Sequence, residues 1–364
     1  MPDPLKGRGA VTRIAHRFDS LTRAADGDWL DWTAALDPDD PDALPAPELR
    51  TRVSFETARS LITSNDSPDI PFDRSINPYR GCEHGCVYCY ARPTHSYLNL
   101  SPGLDFESRL VAKRNAAQLL ARELAAPAYR PALIALGTAT DAYQPVEREL
   151  RLTRGVLEVL ADTLHPVGIV TKSALIERDL DLLVPMARAG VVQTFVSITT
   201  LDAELSRRLE PRAASPARRL RTVRALAEAG VPVHVNFAPV IPFINEPELE
   251  RVLEAAAEVG ARRCHYTVVR LPWEVAPLFQ EWLEAHYPER AARVMARIRE
   301  MRGGRDYEAR FGARMKGQGV WAELIRTRFE AASRRQGFEV ETPALRTDAF
   351  RPPAPPPGPQ LGLF

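Results

Sequence analysis

The chain has 364 residues with 45% apolar side chains, enough to bury the core of one large domain or two modest ones, so wholesale disorder is excluded. Its 48 basic and 47 acidic residues leave a formal charge of +1, so no global field calls for nucleic acid or a membrane, and any basic surface must be local. Only four residues are cysteine, three of them crowded at Cys82, Cys86 and Cys89 with Cys264 alone, and that excludes a disulfide scaffold. The opening MPDPLKGRGA carries no apolar signal segment and no run approaches the ~18 apolar residues of a membrane span, so the expected compartment is the reducing cytoplasm, with no membrane partner.

Residues 1–70 mix Gly, Pro and Asp with a few aromatic anchors, Trp29 and Trp32 among them, and Pro41, Pro45 and Pro47 interrupt the stretch. An irregular N-terminal extension lying on a core is expected, with its first ten residues disordered. From about residue 73 short apolar runs alternate with helical patterns. The runs fall at 75–79, 133–137, 167–171, 191–198, 231–238 and 265–270, and the helices at 107–125, 145–162, 175–189, 216–229 and 246–259. Six such units imply right-handed βα crossovers and a mainly parallel α/β sheet over 71–275, either an open doubly wound sheet or a barrel.

A helical region follows over 276–342, with helices at 279–302 and 319–335 that turn Trp282, Met295, Ile298, Trp321, Leu324, Ile325 and Phe329 toward a core. The stretch 343–364 holds seven prolines and reads as a disordered tail.

The sequence from Asn77 to Arg92, NPYRGCEHGCVYCYAR, sets three thiols in a C-x3-C-x2-C spacing directly after the first strand. Such a loop wraps three thiolates around a soft metal centre, and Gly81 and Gly85 permit a tight backbone. Zinc would want a fourth ligand, which His84 or His95 can offer. Three thiolates on a 4Fe-4S cluster instead leave one iron open to a small molecule.

This spacing, with an aromatic residue (Tyr88) before the last cysteine, resembles the radical S-adenosylmethionine (SAM) superfamily. The resemblance implies a partial (β/α)6 barrel, a 4Fe-4S cluster on Cys82, Cys86 and Cys89, and SAM at the C-terminal mouth of the strands. It also implies reductive cleavage of SAM to a 5'-deoxyadenosyl radical, with electrons from a reduced flavodoxin or ferredoxin-type partner. Thr138, Thr140 and Asp141, in GTATDAYQPVE after strand two, become candidates for the SAM amino group, although Asp141 reads equally as a helix cap. Lys172 and Ser173 end strand three and Ser197 ends strand four. Lys172 is a candidate for a SAM carboxylate or substrate anion, and Ser197 for the ribose.

On strand five His234 and Asn236 share one face and Val233, Val235 and Phe237 the other, which suggests a polar barrel interior. His234 is a catalytic candidate and Asn236 a cofactor contact, with an internal hydrogen-bond pair as the structural alternative. Val268 on strand six is a candidate adenine contact. Tyr90, Arg92, His95 and Tyr97 follow the cysteine loop closely enough to cover the cluster, and Tyr97 is a second catalytic candidate.

GCEHGCVYCYAR, GTATDAYQPVE and TKSALIERD are similar to the spore photoproduct lyase-related branch of that superfamily. The lyases place a hydrogen-donating cysteine between the cluster loop and the second-strand motif, and this chain has none from Ala91 to Arg263. Cys264 is therefore the one remaining thiol that can donate hydrogen, against its reading as a buried structural residue. The expected activity is radical chemistry on an unidentified substrate, a nucleic-acid base among the options. Modification of a protein or metabolite and a non-enzymatic iron-sulfur role stay open beside it. Nucleic acid is suggested by Arg207, Arg208, Arg212, Arg218, Arg219, Arg221 and Arg224, and by residues 286–335, where 13 basic side chains face six acidic ones.

Overall fold

The computed structural model describes residues 7–19, 49–341 and 343–353. The strands in chain order are β1 (Arg52–Glu56), β2 (Ile62–Ser64), β3 (Arg74–Ile76), β4 (Tyr79–Arg80), β5 (Arg109–Lys113), β6 (Ile134–Leu136), β7 (Val167–Thr171), β8 (Val192–Ser197), β9 (Val233–Val240) and β10 (Arg263–Val268). Strands β3, β6, β7, β8, β9 and β10 lie side by side in chain order and all run parallel, with β2 added antiparallel outside β3. This order is what right-handed βα crossovers produce when each strand pairs with its predecessor, and it gives a barrel-like α/β core.

The strand interiors are near-continuous β-branched runs because both faces are covered. One face packs Ile169, Val192, Val196, Val233, Val235 and Val268 against helix residues such as Leu157, Leu160, Leu183, Leu226, Val252 and Leu253. The helix Leu152–Asp162 buries Thr153, Val156, Leu157 and Leu160, and Leu249–Glu258 buries Leu249, Val252, Leu253 and Ala256, each an i, i+3, i+4, i+7 stripe. The opposite face carries Phe195, His234 and His265, whose rings lie 4.6 Å (Phe195 to His234) and 5.5 Å (His234 to His265) apart.

Several sequence-based expectations are corrected. The helix expected over 107–125 is split into a helix at Leu104–Ser108, strand β5, and a helix at Ala116–Leu124. Strand β5 lies parallel to β1 and antiparallel to β4 in a second, three-stranded sheet. Long-range pairing here overrides a locally helical composition. The helix expected over 145–162 breaks at Arg151, where φ is +51°, and that over 279–302 starts at Val275 and breaks before Pro288, which cannot continue the preceding turn. Those over 175–189 and 246–259 open with 3-10 turns, Ala174–Asp179 and Glu246–Glu248.

The segment before residue 70 is not wholly irregular, since it supplies β1 and β2, and residues 8–10 are buried rather than disordered. A Cβ on Gly9 would lie 1.7 Å from the carbonyl oxygen of Gly85, so only glycine allows the N-terminal segment to approach the cysteine loop this closely. The tail is ordered as far as it is described. The Arg346 amide donates to Gly190 O at 3.0 Å and the Arg351 amide to Thr163 O at 2.8 Å, while Phe350 packs edge-on to His165 at 5.3 Å. Trp29, Trp32, the prolines at 41, 45 and 47, and the tail beyond 353 lie outside the described residues.

The cysteine loop, the helix leading into β5 and the N-terminal segment are joined at Arg92, which is fully buried. Its Nε donates to Cys86 O at 2.8 Å, Nη1 to Pro102 O and Gly103 O at 3.1 and 3.0 Å, and Nη2 to Gly85 O at 3.1 Å and to the Glu107 carboxylate. Glu107 also accepts the amides of Gly9 at 3.0 Å and Ala10 at 2.8 Å. Removing one partner strands the other as a buried charge. Arg92→Met is therefore expected to cost about 3–5 kcal/mol in urea unfolding; a loss near that of an exposed pair, below about 1 kcal/mol, would show that the guanidinium is not the joint.

Candidate active site

The cysteine loop leaves β4 and ends in the 3-10 helix Arg92–Leu98. Backbone bonds fix it. The Cys82 amide donates to Phe106 O at 2.9 Å, Val87 to Leu209 O at 3.2 Å, and Cys89 to Cys86 O at 3.2 Å. Gly81 and Gly85 take φ of +77° and +68°, which a side chain would strain. All three thiols are free, with Cys82 and Cys86 buried and Cys89 half-buried. Among the described residues no three His, Cys, Asp or Glu side chains converge on a common ligand point, so the thiols share one loop without forming a preassembled triad.

Burial pushes the Cys86 thiol up to about 12, and burial together with Asp141 pushes Cys82 well above its ordinary value. Desolvated thiols of this kind become thiolates when a soft cation compensates their charge. The donor set thus fits an iron-sulfur centre. Both histidines weighed for a fourth zinc position are engaged elsewhere. His84 Nδ1 lies 3.2 Å from Asp141 Oδ2, and His95 Nε2 lies 2.8 Å from Arg109 O, its ring edge-on to Phe106 and its pKa lowered to about 4 by burial.

Asp141 ties three loops together. Its oxygens accept Thr171 Oγ1 at 2.7 Å, the Lys172 amide at 2.7 Å and the Tyr143 amide at 2.9 Å, besides His84. Burial raises its pKa, but the His84 charge and these hydrogen bonds outweigh that and hold the carboxyl at about 2. The carboxylate is thus occupied as a loop brace. Thr138 and Thr140 stand in the same turn, where Asn77 Oδ1 accepts the amides of Ala139 and Thr140 at 2.9 and 3.3 Å and Thr140 Oγ1 donates to Tyr79 O at 3.3 Å. Ser173 Oγ accepts the Leu175 amide at 3.2 Å, which makes it the cap of the next turn.

Tyr88 is buried, and its hydroxyl meets Glu210 and, at 3.4 Å, Thr199 Oγ1. Glu210 also binds buried Arg219, whose Nη1 donates to Ser197 O at 3.0 Å. The Lys172 ammonium stands 5.9 Å from the Tyr88 ring centre and makes no ion pair among the described residues. Cys86, Tyr88, Lys172, Ser197 and Glu210 thus belong to one neighbourhood. Gln144 joins the loop to the turn after β6, accepting the Glu83 amide at 2.9 Å and donating to Gly81 O at 3.2 Å.

His234 is buried, with Nδ1 3.2 Å from His265 Nε2, and Asn236, half-buried, follows it by two residues on β9. Burial holds His234 at about 3 and His265 at about 4, so both rings are neutral at physiological pH. His234 thus pairs with His265 rather than with Asn236. Three candidates stand away from this neighbourhood. Cys264 sits opposite Val235 in register and packs in the helix-side core, on the other face from His265, and burial pushes its thiol up. Val268 is fully buried in that same core rather than facing the mouth. Tyr97 is 69% exposed and packs 5.4 Å from the Phe18 ring, on the outer rim.

Sequence reasoning missed Asn77, Glu83, Glu107, Gln144 and Glu210. Their partners are remote in sequence, and isolated acidic residues read as solvated surface. The basic clusters are partly consumed internally: Arg208, Arg212, Arg218 and Arg219 pair with Glu204, Glu83, Glu177 and Glu210, leaving Arg207, Arg221 and Arg224 without an ion pair among the described residues. Within 286–335, Arg297, Arg299, Arg310, Arg314, Arg326 and Arg328 are paired and Arg302 is buried against four carbonyls, while Arg290, Arg293, Arg305, Arg334 and Arg335 make no ion pair among the described residues. Among the described residues no helix is long and apolar enough to cross a membrane.

Residues 76–256 match the Radical SAM superfamily. An uncharacterized protein of Mycobacterium tuberculosis is 38% identical over 234 residues, spanning 64% of this chain and 68% of its own length. An uncharacterized protein of Methanocaldococcus jannaschii is 28% identical over 214 residues, spanning 59% and 76%. The fold is similar to a spore photoproduct lyase complexed with dinucleoside spore photoproduct, with a TM-score of 0.53 at 17% identity over 78% of this chain and 79% of that one. With its thiol loop following β3, the first of six parallel strands, by way of β4, the chain belongs to the radical SAM superfamily and is an enzyme of that class.

Proposed function

We propose that this protein cleaves SAM reductively at a 4Fe-4S cluster held by Cys82, Cys86 and Cys89, and uses the resulting radical to take hydrogen from a substrate bound over a partial (β/α)6 barrel. The observation that carries this reading is the loop itself: three free thiols in C-x3-C-x2-C spacing, their backbone fixed by groups other than the thiols. When bound there, the cluster supplies one electron to the SAM sulfonium, releasing methionine and a 5'-deoxyadenosyl radical.

The chain's own residues have distinct tasks in this reading. Lys172, a half-buried cation beside Tyr88 that makes no ion pair among the described residues, receives the SAM carboxylate or a substrate anion. The turn around Thr138 and Thr140 receives the amino group through backbone groups, since the Asp141 carboxylate is already occupied. Ser197 and Asn236 would meet the ribose, and Tyr88, whose hydroxyl is held by Glu210, would line the cluster. An electron enters from a flavodoxin or ferredoxin-type donor. Cys264, packed on the helix-side core, is not a hydrogen donor in this scheme, which separates the reaction from dimer cleavage by a cysteine-dependent lyase.

Two measurements test the proposal. Anaerobic reconstitution with iron and sulfide, then dithionite and SAM, is expected to yield 5'-deoxyadenosine, with none from Cys82→Ala; an intact cluster that neither binds nor cleaves SAM favours a redox or binding role instead. Lys172→Met is expected to raise the KM for SAM more than it lowers kcat, and an unchanged KM removes the carboxylate role.

A stability test addresses the Asp141 brace. Its pKa is depressed from 3.8 to about 2, so its contribution is complete above the unfolded value and is lost as pH falls through the folded one. Asp141→Asn is therefore expected to lower the urea midpoint at pH 7, and the gap to the parent should close as pH falls from about 4 toward about 2. A gap that stays constant over that window rules out the charged brace.

A further inference from the structure

Three aromatic side chains stand exposed on the rim near the strand ends: Phe18 at 52%, Tyr97 at 69% and Trp273 at 63%. They surround one guanidinium. Arg17 lies 4.8 Å from the Phe18 ring centre, 5.3 Å from Tyr97 and 4.5 Å from Trp273. Its charge is balanced by buried Glu274, whose carboxylate takes Nη1 at 3.0 Å and the Arg17 amide at 3.0 Å. Trp273 holds a left-handed backbone, φ +45°, which is uncommon for so bulky a residue. In the same loop Arg270 stacks 4.4 Å over Tyr90, just after the last cluster cysteine, and makes no ion pair among the described residues.

Exposed aromatics in such number are unusual on a surface with no partner. Here they are fixed in place and need no pocket. An apolar peptide anchor is recognised by a closed, desolvated pocket, whereas a nucleobase needs only a π-face and a nearby cation for its phosphate. The rim supplies faces at Phe18, Tyr97 and Trp273 and an uncompensated cation at Arg270. Residues 17–18 and 270–273 lie outside the segment that matches the superfamily, whereas Tyr90 and Tyr97 lie inside it, so the platform is built from both.

We propose that this rim is a stacking platform that binds an unpaired base of single-stranded nucleic acid, with Arg270 contacting the adjoining phosphate. The inference rests on the radical SAM reading of the neighbouring mouth and deepens it by naming the substrate class. Duplex DNA is a poor ligand because its bases are already stacked and their faces are covered.

The test is fluorescence anisotropy of a labelled oligothymidylate, its duplex with oligoadenylate, and a Trp-containing peptide, titrated with the reconstituted full-length chain. The oligothymidylate is expected to bind and the duplex to bind at least about tenfold more weakly. Trp273→Ala and Phe18→Ala should each weaken binding by about tenfold, while Trp273→Phe, which keeps a ring, should bind like the parent. Arg270→Gln should reduce the dependence of affinity on salt by about one phosphate contact. The proposal is overturned if the oligothymidylate does not bind, if Trp273→Ala binds it as the parent does, or if the peptide alone binds. Melting curves confirm that each variant is folded. Formation of 5'-deoxyadenosine by the unaltered chain is scored in the same preparation: its absence strikes the radical reading, whereas indifference to ring removal strikes the platform alone.

Discussion

The buried contact between Arg92 and Glu107 governs the rest of the structure. A loop that offers three thiols to a metal centre must be rigid while the thiols themselves stay unbonded, so its order has to come from elsewhere. Arg92 supplies it by spending its donors on Cys86 O, Gly85 O, the carbonyls of 102 and 103, and Glu107. Glu107 in turn holds the amides of Gly9 and Ala10, and Arg8 Nη1 donates to Glu107 O at 2.7 Å. The same carboxylate therefore pins the cysteine loop and the N-terminal strap. Because the strap continues to Arg17 and Phe18, the exposed rim also depends on it.

Three further carboxylates extend this arrangement around the mouth, each linking the thiol loop to a different crossover. Asp141 connects His84 to the end of β7. Glu83 connects the loop to Val146 N at 2.9 Å and to Arg212 at 3.1 Å, and Glu210 connects Tyr88 to Arg219. Burying so many ions adds little net stability, since desolvation offsets most of the attraction, and a hydrophobic replacement of equal volume is often as stable. What such networks give is a single geometry. Each carboxylate has its lone pairs used by two or more donors, the condition under which a buried polar network specifies rather than loosens a site.

Much of the fold was legible because the parallel strands are apolar runs bounded by turn residues, and β7 falls at 167–171 as the sequence implies. The helix Gly319–Arg335 was legible from its apolar stripe, although Leu324, read as part of that stripe, is exposed. The second sheet was not, because β5 is a five-residue stretch, RLVAK, embedded in helix-forming composition, and its identity as a strand is decided by β1 and β4. The thiol loop was readable as a motif, since its chemistry is carried by spacing within eight residues. Its supports were not. Glu107 and Glu210 look like ordinary surface acids until the fold brings Gly9, Arg92, Tyr88 and Arg219 to them.

The charge balance also changes meaning in three dimensions. Many arginines in the clusters that suggested a phosphate-tracking face are paired with nearby acids, and two of the chain's arginines, Arg92 and Arg219, are buried structural ions. Density of basic residues is thus a weak guide to nucleic-acid contact in so arginine-rich a chain. A guanidinium left without a carboxylate beside exposed rings is a stronger one, because Coulomb energy and stacking then act on the same ligand. Arg270 meets that condition, whereas the helix arginines paired with Glu177 and Glu204 do not. On the proposed reading, the shared core generates the radical, and the exposed rim, where residues 17–18 and 270–273 meet Tyr90 and Tyr97, decides what is brought to it.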